Sequence, residues 1–99
     1  MEEQESLQHF LRLIATKRYV DAHEALEPLW KHAKTNPETQ ERALALKGFI
    51  NGATALALRE MGRIDGANRV WLNYLKYKGN QNPTCDAAII EALEGAWNQ

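Results

Sequence analysis

Apolar residues along this chain recur three and four positions apart, and no stretch alternates with period two. That spacing predicts helices throughout. The first helix is expected over about 6–17, with Ser6 as its N-cap and Leu7, Phe10, Leu11 and Ile14 on one face. The second is expected over about 20–34. Its inward stripe is Ala22, Leu26, Leu29 and Ala33, with Trp30 beside it. Pro28 falls inside this segment, removes one hydrogen bond and crowds the carbonyl of Glu24, which predicts a kink there.

Asn36-Pro37-Glu38 reads as a helix start: a capping side chain, proline at the first helical position, then an acid at the positive end. The third helix should run from there to Met61 and stop at Gly62. Between Ala43 and Leu58 it is apolar nearly all round, which predicts a buried central helix. Gly48, Gly52 and Ala55 make a small-residue stripe. Each interior glycine costs about 1 kcal/mol against alanine, so the stripe predicts another helix backbone passing close by.

A fourth helix is expected over 64–78, with Ile64, Ala67, Val70, Trp71, Tyr74 and Leu75 inward. A loop follows over 79–83, then a fifth helix over about 84–97 carrying Ala88, Ile89, Ala92, Leu93 and Trp97. Arg18-Tyr19-Val20-Asp21-Ala22 is echoed 45 residues later by Arg63-Ile64-Asp65-Gly66-Ala67. Both resemble the opening of a helix-pair repeat of tetratricopeptide type, although similar turn chemistry at two helix starts explains the echo equally well. The expected fold is all-α: a compact bundle of about five helices around a buried third helix. At 99 residues the chain fits one helical domain spanning 1–99.

Composition narrows the partners. Lys and Arg number 12 against 13 Asp and Glu, so no basic excess points to nucleic acid. No apolar run is long enough to span a bilayer. The start, Met1-Glu2-Glu3, is acidic where a signal peptide would be basic, and the lone Cys85 cannot close an internal disulfide. These features suggest a cytoplasmic protein whose partners are a small ligand, another protein or a second copy of itself.

The candidate chemistry lies in His23-Glu24-Ala25-Leu26-Glu27. On a helix His23 and Glu27 share a face, with Glu24 projecting next to them and Trp30 one turn on. An imidazole and a carboxylate one turn apart can hold a divalent metal or pair as acid and base. The zincin pattern HExxH would need histidine at position 27. Lys47, Asn51 and Thr54 form a polar stripe on the otherwise apolar third helix. Buried polar groups need partners, and His23, Glu24 and Glu27 are the expected ones. Two readings follow: a structural network closed by Lys47, or a ligand pocket formed by His23, Glu24, Glu27, Trp30, Lys47 and Asn51.

The runs YVDAHEALEPLW (19–30), KGFINGATAL (47–56) and GRIDGANRVW (62–71) resemble domain-of-unknown-function family 309, small all-helical proteins with an AHExxExxW helix followed by a GxIQxAxAxxH-type helix. The resemblance covers about 7–78. It implies that His23, Glu24, Glu27 and Trp30 are signature residues, with Asn51 where glutamine is usual. It also implies a metal-dependent hydrolase; in that reading His23 is metal ligand or base, Glu27 a metal ligand, and Glu24 a general base or an anchor behind the ligands. This sequence departs from the pattern at Arg59-Glu60-Met61, where a histidine often stands. The function expected is a helical interaction or small-ligand-binding module with its pocket at this motif; the alternative is the metal-dependent hydrolase. No reaction or substrate follows from the residues.

Overall fold

The computed structural model describes residues 3–80 and 83–99, the side chains of 83–85 excepted. The helices are α1 (Glu3–Ala15), α2 (Tyr19–Lys34), α3 (Gln40–Glu60), α4 (Ile64–Tyr77) and α5 (Pro83–Trp97). Short 3-10 turns at Pro37–Thr39 and Lys78–Asn80 precede α3 and follow α4, and no strand occurs among the described residues. The fold is an all-α bundle, as the spacing predicts. The side chain of Cys85 lies outside the described residues.

Helix α3 packs on α2, α4 and α5, while α1 closes the side formed by α2 and α5. Phe10, Leu26, Leu46, Phe49, Leu56, Tyr74 and Leu93 are all but inaccessible to solvent and join one core. Burial of each such side chain contributes about 1.5–3 kcal/mol relative to exposure. Gly52 accommodates this core differently from expectation. A Cβ there would meet Leu93 Cδ1 at 3.0 Å and Tyr74 Cδ1 at 3.3 Å. Side chains from α5 and α4 fill the space, not a neighbouring helix backbone.

Several boundaries shift. Ser6 is buried inside α1, which begins at Glu3, so it is no N-cap. The Asn36 carboxamide does cap, accepting from Glu38 N at 2.9 Å, but what it caps is the 3-10 turn ahead of α3. Pro28 sits inside α2, which continues through it as one helix. Ile64 and Leu75 are exposed rather than inward, and Ala88 is exposed on α5. Leu13, absent from the expected inward set, is buried. The inward arc of α4 is narrower than its apolar content, because α3 covers it along one line through Ala67, Trp71 and Tyr74.

The sequence echo corresponds to a repeated turn. Lys17 and Gly62 both take positive φ, 61° and 79°. Arg18 N donates to Leu13 O at 2.8 Å, and Arg63 N to Leu58 O at 2.9 Å. These are the six-to-one closures of a Schellman C-cap. Arg18 and Arg63 then open α2 and α4 with nearly the same dihedrals, φ/ψ −93°/68° and −90°/71°. Gly62 takes its turn without a Cβ clash, whereas Lys17 holds a conformation that disfavours side chains.

Between α2 and α3 the chain reverses through a tight, hydrogen-bonded corner. Thr39 Oγ1 donates to Ala33 O at 2.6 Å and Gln40 Nε2 to Lys34 O at 2.8 Å. The last carbonyls of α2 are thus satisfied by the start of α3. This corner sets α3 back along α2, so that residues near 23 meet those near 54 and residues near 30 meet those near 47.

Candidate binding cleft between α2 and α3

A cleft of about 270 Å³ opens where the two helices pass each other. From α2 it is lined by His23, Glu27 and Trp30, and from α3 by Lys47, Ile50, Asn51 and Thr54. Five of the six residues expected at a pocket therefore meet there. Glu24 does not: it is exposed and does not line the cleft. A turn of helix puts position 24 about 100° from position 23, and that rotation carries Glu24 to the solvent side. Thr54, from the polar stripe, joins the lining, and Ile50 supplies an apolar wall.

Lys47 does not close onto the carboxylates. Its Nζ lies 5.4 Å from the centroid of the Tyr77 ring on α4. Among the described residues no ion pair joins it to Glu24 or Glu27. His23 Nδ1 and Glu27 Oε1 stand 3.7 Å apart, beyond hydrogen-bond range, with each side chain about one-third exposed (33% and 35%). At that exposure the pair is worth little. The structural network expected from the sequence is therefore not formed.

The polar groups of α3 satisfy themselves partly within their own helix. Asn51 Nδ2 donates to Lys47 O at 2.8 Å, and Thr54 Oγ1 to Ile50 O at 2.9 Å. Asn51 Oδ1 has no partner among the described residues and remains an acceptor in the cleft wall. The Trp30 ring carries Lys34 Nζ over it, 4.2 Å from its centroid, which fixes a cation beside the mouth.

Zinc does not fit this donor set. His23 and Glu27 offer one nitrogen and one carboxylate, whereas zinc takes three protein ligands in catalytic sites and four in structural ones. Among the described residues no three His, Cys, Asp or Glu side chains stand together. The ammonium of Lys47 in the same cleft opposes a second cation. His23 and Glu27 thus fall short of a zinc site's ligand number, and Glu24 lies outside the cleft that they line.

A larger hollow, about 470 Å³, lies between the α1–α2 corner and α5. Apart from Tyr19, its polar groups are the exposed side chains of Lys17, Glu91 and Gln99. Its lining lacks the facing opposite charges on two packed helices that the α2–α3 cleft brings together.

The model of the domain of unknown function DUF309 matches residues 7–70. The chain belongs to this family. No curated protein and no solved structure matches it. The DUF309 span contains every residue lining the α2–α3 cleft. It ends within α4, short of the expected position 78 and of α5. The site thus lies in the family-defining part, and α5 serves this chain's packing: Trp97 stacks on Trp71 at 4.4 Å, and Arg59 donates to the carbonyls of Ala96 and Trp97.

Proposed function

We propose that this DUF309 chain is a small-ligand-binding module and that the α2–α3 cleft is its site. One observation carries the reading. Lys47 and Glu27, opposite charges on facing helices, line the same cleft without pairing. Unpaired charges on opposite walls are poised for complementary groups of a bound molecule. Asn51 Oδ1 adds an acceptor, and Ile50 and Trp30 add apolar surface. No reaction is named, and a lone cysteine, which closes no internal disulfide, suits a reducing compartment such as the cytoplasm. No helix among the described residues is long and apolar enough to cross a membrane.

Heteronuclear NMR titration with a panel of small carboxylates, phosphates, amines and zwitterions tests this. At least one class should shift amide signals in 23–30 and 47–54, and Lys47→Met or Asn51→Leu should abolish the response. A panel that leaves those segments unshifted would contradict the reading.

A second reading has its own observation. Ile64, Leu72 and Leu75 are exposed on α4, at 50%, 65% and 45%, which suits an interaction face for a protein partner or a second copy. Sedimentation of the chain across concentration, with Leu72→Glu as control, separates self-association from a monomer.

A further inference from the structure

Beside the polar cleft lies a second hollow of about 150 Å³, lined by Val20, Ala57, Leu58 and Met61 together with His23 and Thr54. His23 and Thr54 line both spaces. The two form one groove along α2 and α3, charged at the Lys47 end and apolar at the Met61 end. Val20 and Met61 are 48% and 60% exposed, so the apolar end is open to an entering group.

Resting on the reading of the cleft as a ligand site, we infer that its ligand is an α-amino acid with an aliphatic side chain. Lys47 would take the carboxylate and Glu27 the ammonium, and the side chain would lie past His23 and Thr54 against Val20, Ala57, Leu58 and Met61. A simple carboxylate leaves Glu27 unmatched and a simple amine leaves Lys47 unmatched. A zwitterion satisfies both and adds no net charge to the groove. An apolar space of about 150 Å³ accommodates a group as large as benzene, which suits a branched four-carbon side chain. Neither Lys47 nor Glu27 needs to break an existing ion pair with the other to bind. The protein contacts that binding would disturb are that of Lys47 with Tyr77 and the loose approach of His23 to Glu27.

The test is NMR titration of the full chain with L-leucine, glycine, isocaproate and isoamylamine. Leucine should shift signals at both ends, including Lys47, Asn51, Val20 and Met61. Glycine, isocaproate and isoamylamine should each bind roughly tenfold more weakly or worse, a loss of about 1.4 kcal/mol. Val20→Ala, at an exposed position, should narrow the preference for leucine over glycine. Glycine or isocaproate matching leucine would overturn the amino-acid assignment while leaving the cleft a binding site. Leucine shifting neither hollow would also overturn it, and the wider panel described above then judges the cleft independently.

Discussion

Lys47 on α3 faces the ring of Tyr77 on α4, 5.4 Å from its centroid, and leaves Glu27 across the cleft with only the loose approach of His23 at 3.7 Å. A cation over an aromatic face is worth about 0.5–1 kcal/mol where partly exposed. An exposed lysine–carboxylate pair is worth about the same. The side chain can therefore stay on the ring, and the cleft stays open. Replacing Tyr77 with leucine removes the competitor. Tyr77→Leu should cost about 0.5–1 kcal/mol in denaturant unfolding, and adding Lys47→Met should cost little more.

Arg42 bridges Glu3 and Asp86, with Nη1 2.7 Å from Asp86 Oδ2. The Asp86 side chain has 0% exposure while Glu3 has 44%. Burial tends to lower the Arg42 pKa, but its hydrogen bonds to Asp86 and Glu3 and their charges raise it overall. Taking one partner from a buried charge costs up to about 3–5 kcal/mol, against at most about 1 kcal/mol for an exposed pair. Urea unfolding should thus show Arg42→Ala losing clearly more than Glu3→Gln, which should lose less than about 1 kcal/mol.

The glycines of α3 and α5 should respond in opposite directions. A Cβ at Gly95 meets nothing within 4 Å, so Gly95→Ala should gain roughly 0.5–1 kcal/mol from helix propensity. At Gly52 the same gain meets Leu93 Cδ1 at 3.0 Å and Tyr74 Cδ1 at 3.3 Å. Overpacking costs about 1–3 kcal/mol, and Leu93 and Tyr74 are both fully buried. Gly52→Ala should therefore lower the melting temperature, and Gly95→Ala should raise it.

Stability should fall at both pH extremes through one cluster. Tyr74 OH donates to Glu94 Oε2 at 2.7 Å, and Lys78 Nζ lies 2.6 Å from the same oxygen. Burial alone would raise the Glu94 pKa, but the hydrogen bonds from Lys78 and Tyr74 and the Lys78 charge lower it below the ordinary 4.5. Its contribution is present above the unfolded value and is lost as pH falls through the depressed folded value. Burial, then the bond and charge of Glu94, push the Tyr74 phenol well above its ordinary 10.0. That contribution is complete below the unfolded value and declines as pH rises past it. Tyr74→Phe should flatten the alkaline fall in a pH series of unfolding midpoints. Some slope should remain from Tyr19, whose pKa is raised by burial and by Glu60 against an opposing effect of Arg59.

The helices and most of the cleft were legible in the sequence because both follow from spacing. The 3.6-residue period put His23, Glu27 and Trp30 on one side of α2 and Lys47, Asn51 and Thr54 on one side of α3. Which polar groups would pair was not legible. Tyr77 is far along the chain, and nothing in the spacing shows that its ring would take Lys47 from Glu27. Glu24 was misplaced because adjacency in sequence is a large rotation on a helix. The spacing puts Ile64 and Leu75 inward, yet both are exposed, because apolar content alone does not say how wide an arc a neighbour covers. The Arg42–Asp86 pair joins residues from two helix starts, and no local pattern announces it. The apolar hollow at Val20 and Met61 exists only once α2 and α3 are packed.

The openness of the cleft rests on Lys47 and Glu27 standing independent of each other, and a double-mutant cycle on stability measures that directly. Lys47→Met, Glu27→Gln and the double variant should be additive within about 0.3–0.5 kcal/mol. A coupling of about 1 kcal/mol or more would show the two charges paired across the cleft, and would contradict the site.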